Sequence, residues 1–379
     1  MLHFKSMISH IHMRCIIQKA AKLGKHTKTK DSVSSYIHRN FCDRSSPNSQ
    51  APLVEVFDAF LQQIKHHGEG NITLNTLPSA NVADIYINNP SKRNCLSGRM
   101  IHQLMTIIDT LSTDPRYTST VAVLLRGHGS ESFPSANPTD GPEPGPDPSL
   151  PPAFCAGLDF SLAKEVVNTP DQGFLMCSMM TEALTRLRSL DMISVALIHG
   201  PALGGGAELA TSCDYRVITD AATSQIGFVH GKLGASPGWG GGGRLFEIVG
   251  RRNALRLFGT AKILCPQEAL EMGLADVVLE TPGSSVVEST SSSSSSSSVS
   301  SSVSSSLSSS PRLSYVEQCI SFVEPFTSMP YPLAVKDMKL LIAGQSAASC
   351  HAEAARQLEK DVFKRRWGSP DNMSALSTK

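Results

Sequence analysis

Residues 193–214, with the sequence ISVALIHGPALGGGAELATSCD, combine the local signals of a strand, a turn and a helix. Ile193–Ile198 is rich in β-branched residues, which predicts a short buried strand. The three glycines Gly204–Gly206 then permit a tight turn, and the small residues that follow favour a helix to about Ser212. A strand that passes through a glycine turn into a helix indicates the α/β class.

Stretches typical of strands and of helices alternate through the remaining chain, as the α/β class requires. Ser97 is placed to cap a helix whose apolar residues, from Met100 to Leu111, recur on one face. Further strands are predicted at Val82–Ile87, Val121–Leu125, Tyr215–Thr219 and Ala275–Leu279, and further helices at Phe174–Leu190 and Val316–Ile342.

The composition excludes several classes of protein. The chain has 379 residues, 40% of them hydrophobic, and 34 Lys and Arg against 33 Asp and Glu give a net charge of +1. This balance gives no sign of nucleic-acid binding, and no apolar stretch approaches the roughly 20 residues of a membrane span. Nine cysteines without a CxxC pair argue against a disulfide framework or a zinc ribbon. We therefore expect an intracellular globular enzyme or binding protein, with no membrane and no nucleic-acid partner.

Two internal segments are too biased in composition to form a core. Pro134–Pro152 holds eight prolines in nineteen residues, which predicts an extended surface insertion. Ser284–Ser310 holds twenty serines in twenty-seven residues, which predicts a disordered linker. The predicted organisation is a disordered basic tail over 1–50, a core over 51–283, the linker over 284–310 and C-terminal helices over 311–379.

Two pattern matches are misleading on chemical grounds. GASPG at residues 234–238 has the GxSxG form of a hydrolase nucleophile turn, but Pro237 has no N–H to act as the oxyanion donor after Ser236. GWGGGG at residues 238–243 has the GxGxxG form of a dinucleotide site, but no strand precedes it. It predicts a turn into a helix that starts near Arg244. The histidines are too dispersed to predict a metal site.

Three short segments together form the candidate active site. Residues 154–159 (FCAGLD) and 204–208 (GGGAE) are glycine turns that enter helices, whose first N–H groups can face a developing anion. Residues 227–230 (GFVH) place a titratable histidine in a loop after a strand. Alone, each segment has a simpler explanation: glycines for a turn, Glu208 for the helix dipole and His230 as a structural histidine.

In this order and spacing, the three segments resemble the crotonase superfamily, which is the enoyl-CoA hydratase/isomerase family. The resemblance runs from about Val82 to Asn372, interrupted by the Pro-rich and Ser-rich segments. It implies an α/β fold made of a spiral of ββα turns with a C-terminal helical region. It also implies an acyl-CoA substrate and assembly as a homotrimer or a hexamer.

The same resemblance assigns roles to individual residues of this chain. The thioester oxygen of the substrate is expected to bind the backbone N–H groups of Leu158 and Gly205, which form the oxyanion hole. The residues expected to bind CoA are Lys92, Arg93 and Ala156, the first two in the loop 89–94.

The residue at position 230 favours one reaction type among those known for this family. Hydratases of this family use two glutamates, and here Glu208 is one of them while His230 stands in the place of the other. Together with PGWGG at 237–241 and WGSPDN at 367–372, this resembles the members that decarboxylate ethylmalonyl-CoA. The implied reaction converts ethylmalonyl-CoA to butyryl-CoA, and more weakly methylmalonyl-CoA to propionyl-CoA, which clears wrongly carboxylated acyl-CoA.

This reaction needs no metal, biotin or pyridoxal, because the thioester itself accepts the electrons. His230 is expected to be the catalytic acid, and Glu208 to orient substrate or water or to serve the helix. Two alternatives stay open: an enoyl-CoA hydratase or isomerase, and a catalytically inactive acyl-CoA-binding protein. The resemblance implies the cytosol, and the basic, acid-free residues 1–30 make a mitochondrial location the alternative.

Overall fold

The structure, a computed structural model, describes residues 51–77, 80–130, 151–280 and 313–348. The expected N-terminal tail and Ser-rich linker lie outside these residues, as do most of the Pro-rich insertion and residues 349–379.

Nine strands in the described ranges form two sheets. They are β1 (Asn71–Leu77), β2 (Val82–Asn88), β3 (Ala122–Gly127), β4 (Ile193–Ile198), β5 (Pro201–Leu203), β6 (Tyr215–Thr219), β7 (Gln225–Gly227), β8 (Ile263–Leu264) and β9 (Val277–Leu279). The larger sheet has the order β1-β2-β3-β4-β6-β9; β1 and β2 are antiparallel, and the other pairs are parallel. The smaller sheet has the order β5-β7-β8.

The described helices connect and cover these strands. They are α1 (Ala51–Ile64), α2 (Gly98–Thr113), α3 (Phe160–Glu165), α4 (Pro170–Arg188), α5 (Gly205–Ala210), α6 (Gly241–Thr260), α7 (Pro266–Glu271), α8 (Tyr315–Thr327) and α9 (Pro332–Ala348). The predicted cap of α2 is confirmed, since the Ser97 hydroxyl accepts the Met100 N–H at 3.3 Å. Helix α6 is interrupted at Gly250, whose φ is 73°.

Both faces of β2, β3 and β4 are buried, as is usual for parallel strands. Along β3, Val123 and Leu125 belong to the core that includes α2 and α4. Their neighbours Ala122 and Leu124 point to the other face, against α8. The continuous apolar strands predicted from the sequence therefore lie between two helical layers.

Helix α9 turns two lysines inward and leaves some of its apolar side chains exposed. The Lys336 ammonium donates to three backbone oxygens of the segment 117–120, and Lys339 donates to a backbone oxygen at the end of α4. Both lysines are buried, whereas Met338 and Ile342 are exposed. None of the helices described here is long and apolar enough to cross a membrane.

Candidate active site

The first glycine turn, residues 154–159, is held against the loop before α2. The Leu96 N–H donates to the Gly157 oxygen at 2.7 Å, and the Leu96 oxygen accepts the Asp159 N–H at 3.0 Å. In this parallel bridge, Leu158 lies between the two bonded residues, so its own N–H points away from Leu96. No acceptor among the described residues takes up the Leu158 N–H.

The second glycine turn lies directly beside the first. Gly204 has a φ of 55° and leads into α5, which begins at Gly205. A Cβ atom on Gly157 would lie 3.0 Å from the Gly205 nitrogen, and one on Gly206 would lie 1.8 Å from the Cys155 oxygen. Only glycine permits this approach. The Gly205 N–H also meets no acceptor within the described ranges, so the two predicted oxyanion donors are neighbours with free N–H groups.

The Glu208 carboxylate lies at the next turn of α5 and is 1% exposed. One of its oxygens accepts the Gly238 N–H at 3.2 Å and contacts His230 Nε2 at 3.0 Å. Its other oxygen accepts the N–H groups of Trp239 and Gly241, both at 2.8 Å. Three backbone donors and one imidazole therefore surround this single carboxylate.

His230 lies in a short 3₁₀ helix, Val229–Leu233, which follows β7 as the sequence predicted. Its side chain is 13% exposed, and its Nε2 atom is the one that meets Glu208. Its Nδ1 atom is buried and has no hydrogen-bond partner among the residues described. Because Nε2 lies 3.9 Å from the place of a Cβ on Gly204, the imidazole adjoins the turn that presents the Gly205 N–H.

Two side chains that the sequence reasoning did not include complete this site. The Trp239 ring is packed on Gly205, where a Cβ would lie 2.5 Å from it. Arg244 is 5% exposed and donates from one nitrogen to the backbone oxygens of Glu208 at 2.9 Å and Trp239 at 2.8 Å. Burial lowers the pKa of the Arg244 guanidinium to about 10, although the nearby Glu208 carboxylate opposes this shift.

The two misleading motifs, which overlap at Gly238, belong to the segment that holds the Glu208 carboxylate. Ser236 is exposed, and the N–H groups of Gly238, Trp239 and Gly241 bind the Glu208 carboxylate. Helix α6 begins at Gly241, three residues before the predicted start. Its glycine-rich entry thus holds a carboxylate of the protein itself.

The three residues expected to bind CoA are neighbours. Ala156 donates its N–H to the Arg93 oxygen at 3.1 Å, which joins the two loops. Lys92 donates to Asp159 at 2.7 Å, and this hydrogen bond raises the pKa of the lysine. The Arg93 side chain is exposed and forms no ion pair with any described residue. A phosphate group would therefore meet Arg93, which has no ion-pair partner in the described part of the chain, and Lys92, which already has a carboxylate partner.

Cys155 lies inside the first glycine turn but is not suited to act as a nucleophile. It is fully buried, and burial raises the pKa of its thiol, so the thiolate is disfavoured. No group of three or more His, Cys, Asp or Glu side chains that could hold a metal ion occurs in the described part of the chain.

Comparisons with known proteins agree on one family. A family model described as enoyl-CoA hydratase/isomerase matches residues 148–298. An ethylmalonyl-CoA decarboxylase of Danio rerio is 31% identical over 355 residues, which cover 93% of this chain and 95% of the relative. The crystal structure of an enoyl-CoA hydratase from Bacillus anthracis aligns with a TM-score of 0.59 at 23% identity, over 81% of this chain and 95% of that one.

A further structure is that of a putative enoyl-CoA hydratase from Thermobifida fusca in complex with acetoacetyl-CoA. It aligns with a TM-score of 0.52 at 23% identity, over 78% of this chain and 94% of that one. The two solved structures establish the fold, and the decarboxylase relative extends the match over nearly the whole chain. The predicted α/β crotonase fold is confirmed, and the chain belongs to the enoyl-CoA hydratase/isomerase family.

Proposed function

We propose that this protein decarboxylates a malonyl-type acyl-CoA, converting ethylmalonyl-CoA to butyryl-CoA and, more weakly, methylmalonyl-CoA to propionyl-CoA. The observation that carries the proposal is the Glu208–His230 pair beside two backbone N–H groups that meet no acceptor among the described residues. The Danio rerio relative supports the same reaction, because it is an ethylmalonyl-CoA decarboxylase and its similarity covers 93% of this chain. In this role the enzyme clears wrongly carboxylated acyl-CoA.

The substrate's thioester oxygen binds between the N–H groups of Leu158 and Gly205. The bond between Cα and the carboxylate then breaks, carbon dioxide leaves, and the electron pair of that bond moves onto Cα and the thioester oxygen as an enolate. Each preorganised donor is worth roughly 2.7–4 kcal/mol to such an oxyanion. Because the thioester takes up the electrons, the chemistry needs no metal, biotin or pyridoxal.

The enolate must next receive a proton at Cα, and His230 is positioned to supply it. Its Nε2 atom contacts Glu208, so we assign the proton to Nδ1, the nitrogen that has no hydrogen-bond partner among the described residues. Glu208 holds the ring in one orientation and balances the charge of the imidazolium form. All four contacts of Glu208 use its oxygens as acceptors, which suits a positioning role.

The nucleotide end of CoA is assigned to Arg93, Lys92 and Ala156. Arg93 offers an exposed guanidinium without an ion-pair partner in the described residues, the group best suited to a phosphate. The acetoacetyl-CoA complex of the Thermobifida fusca protein supports a CoA thioester as the ligand of this fold.

We also propose that the chain acts in the cytosol as a homotrimer or a hexamer. The exposed Met338 and Ile342 of α9 form an apolar surface that contact between copies would cover. Sedimentation velocity and subcellular fractionation test these two assignments, and a monomer or a mitochondrial protein would contradict them.

The function is tested by measuring carbon dioxide release from ethylmalonyl-, methylmalonyl- and malonyl-CoA, with crotonyl-CoA hydration measured alongside. We expect ethylmalonyl-CoA to react fastest. His230→Ala should reduce its turnover by about 10²–10⁴, the usual contribution of a positioned acid. His102→Ala, which removes a histidine of α2 outside the site, should leave the rate unchanged.

Other outcomes would contradict the proposed reaction or the proposed role of His230. Hydration of crotonyl-CoA without carbon dioxide release would identify a hydratase, and binding of CoA esters without turnover would identify an inactive binding protein. Parental decarboxylation by His230→Ala would mean that the proton comes from Glu208 or from water.

A further inference from the structure

Asn94 occupies an unusual backbone position at the end of the loop 89–94, the CoA-binding loop. Its φ is 56°, a left-handed conformation that asparagine tolerates better than most residues. Its side chain is 1% exposed. A buried carboxamide needs partners for its polar atoms, and those partners show what the residue holds together.

The Asn94 carboxamide joins three separate segments. Its oxygen accepts the Asn89 N–H at 2.9 Å, which closes the CoA-binding loop. Its nitrogen donates to the Ala153 oxygen at 2.6 Å and to the His128 oxygen at 3.1 Å. Both partners of the nitrogen are carbonyls and the partner of the oxygen is an N–H, so the orientation of the amide is unambiguous.

Next to Asn94, backbone hydrogen bonds pair residues 93–96 with the first glycine turn, residues 154–159. Arg93 accepts the N–H of Ala156, and Leu96 exchanges two hydrogen bonds with the residues on either side of Leu158. These segments have little room to shift relative to each other. A Cβ on Gly127 would lie within 2.7 Å of Asn94 Nδ2 and within 2.5 Å of the Ala153 oxygen. The direction of the Leu158 N–H therefore depends on where the CoA-binding loop lies.

We propose that Asn94 is a positioning residue that couples the binding of the CoA nucleotide to the oxyanion hole. This inference rests on the proposed function, because it requires a CoA thioester held by Arg93. A phosphate bound by Arg93 fixes the loop, Asn94 fixes the loop to Ala153, and the paired backbone fixes the Leu158 N–H against the thioester oxygen. Binding energy from the remote nucleotide is thus used at the reacting carbonyl.

Asn94→Asp is the most informative substitution. Aspartate keeps the size of the side chain and also tolerates a positive φ. Its carboxylate cannot donate, so it removes both bonds from the nitrogen and places an oxygen against the Ala153 and His128 carbonyls. Asn94→Gly is the second variant, since glycine adopts this backbone freely and removes only the side chain.

The test compares two thioesters of the same acid, ethylmalonyl-CoA and ethylmalonyl-pantetheine, which lacks the nucleotide. For the parent, kcat should be higher with the CoA ester. In Asn94→Asp that advantage should largely disappear, with kcat on the CoA ester reduced about 10–100-fold and its KM changed much less. Arg93→Ala should remove the same advantage, and the double variant should be little worse than either single one. Arg99→Ala, at an exposed arginine of α2, is the matched control and should keep it.

The following results would overturn the proposed coupling. Equal kcat values of the parent for the two thioesters, or a loss in Asn94→Asp of the same factor for both, would overturn the coupling. If both Asn94 variants fail to fold, the ratio for Arg93→Ala decides, and an unchanged ratio overturns the proposal. A parent protein that turns over neither thioester would overturn the proposed function itself and this inference with it.

Discussion

Glu208 is the residue on which most of the site converges. Its carboxylate is buried, and each of its four hydrogen-bond contacts treats its oxygens as acceptors. Three of these donors belong to the backbone entering α6, and the fourth is His230. A group used in this way fixes the geometry of the residues around it.

Replacing Glu208 with glutamine tests this interpretation. The amide NH₂ would face two of the four donors, leaving buried polar groups unpaired at a cost of about 1–3 kcal/mol. His230 would lose its carboxylate partner, so kcat for decarboxylation should fall by about 10² or more. Steady-state kinetics and the free energy of unfolding of the same preparation measure the two effects.

A second comparison shows whether Glu208 acts through His230. If it does, Glu208→Gln combined with His230→Ala should be about as slow as His230→Ala alone. Glu247→Gln, on the exposed side of α6, serves as the control and should match the parent. Multiplication of the two single losses would show that Glu208 contributes separately from His230.

The sequence predicted site roles for Glu208, His230, Leu158 and Gly205 because each lies in a short local motif. It did not show that Glu208 and His230 touch, since a contact over 22 residues leaves no local pattern. Trp239 and Arg244 were missed as partners for the same reason. The one available signal was the run of glycines before Arg244, which is needed where backbone approaches a side chain closely.

At the scale of elements, the entry to α6 is the part of the fold that most directly shapes the site. The Thr181 hydroxyl of α4 donates to the Gly238 oxygen at 3.0 Å. Arg244 holds the next carbonyl, that of Trp239, at 2.8 Å. Hydrogen bonds to two of its carbonyl groups therefore fix the turn, while its N–H groups bind the Glu208 carboxylate.

Two adjacent glycines of this turn should respond differently to alanine. A Cβ on Gly241 would lie 2.5 Å from Glu208 Cγ and 2.6 Å from one carboxylate oxygen, whereas one on Gly242 meets nothing within 4 Å. Gly241→Ala should displace Glu208, lower kcat at least about 10-fold and destabilise the fold by about 1–3 kcal/mol. Gly242→Ala should keep the rate and gain up to about 1 kcal/mol from helix propensity.

Thermal unfolding and kcat of the two variants provide the check, and each is the other's control. Similar behaviour of Gly241→Ala and Gly242→Ala would mean that the turn yields easily and does not set the position of Glu208.

The elements themselves were predicted to different degrees. β4 and β6 have their predicted bounds, and β2, β3 and β9 differ from prediction by one or two residues at one or both ends, because continuous apolar runs are a strong local signal. β1, β5 and β8 were not predicted, and the strand before His230 was predicted without bounds. Strands of two or three residues have no periodicity, and only pairing with distant chain segments defines them.

At the scale of the whole molecule, the face of the larger sheet that packs against α8 carries a cluster of buried polar side chains among its apolar ones. Asp84 and Arg126 form an ion pair with both side chains fully buried, and Arg126 lies over the Tyr86 ring. His199 follows β4 on this face, 3% exposed, with its ring nitrogens near the oxygens of Leu197 and His128.

This burial makes the stability of the fold depend on pH. Burial lowers the pKa of His199 to about 4, against about 6.5 for an exposed histidine. Between these values the unfolded chain binds a proton that the folded chain does not, so stability is complete above pH 6.5 and falls as the pH approaches 4. The slope is about 1.4 kcal/mol per pH unit, or about 3 kcal/mol in all.

His199→Gln should remove this part of the acid sensitivity, because an amide does not titrate and can still donate to a carbonyl oxygen. Urea unfolding at pH 7, 5.5 and 4.5 measures the free energy of unfolding of parent and variant. The variant starts lower at pH 7, since it loses the fit of the ring, but its stability should decline less towards pH 4.5. His102→Gln is the control and should follow the parent's slope. Parallel curves for the parent and His199→Gln would show that acid sensitivity arises elsewhere, with the buried Asp84–Arg126 pair the next group to test.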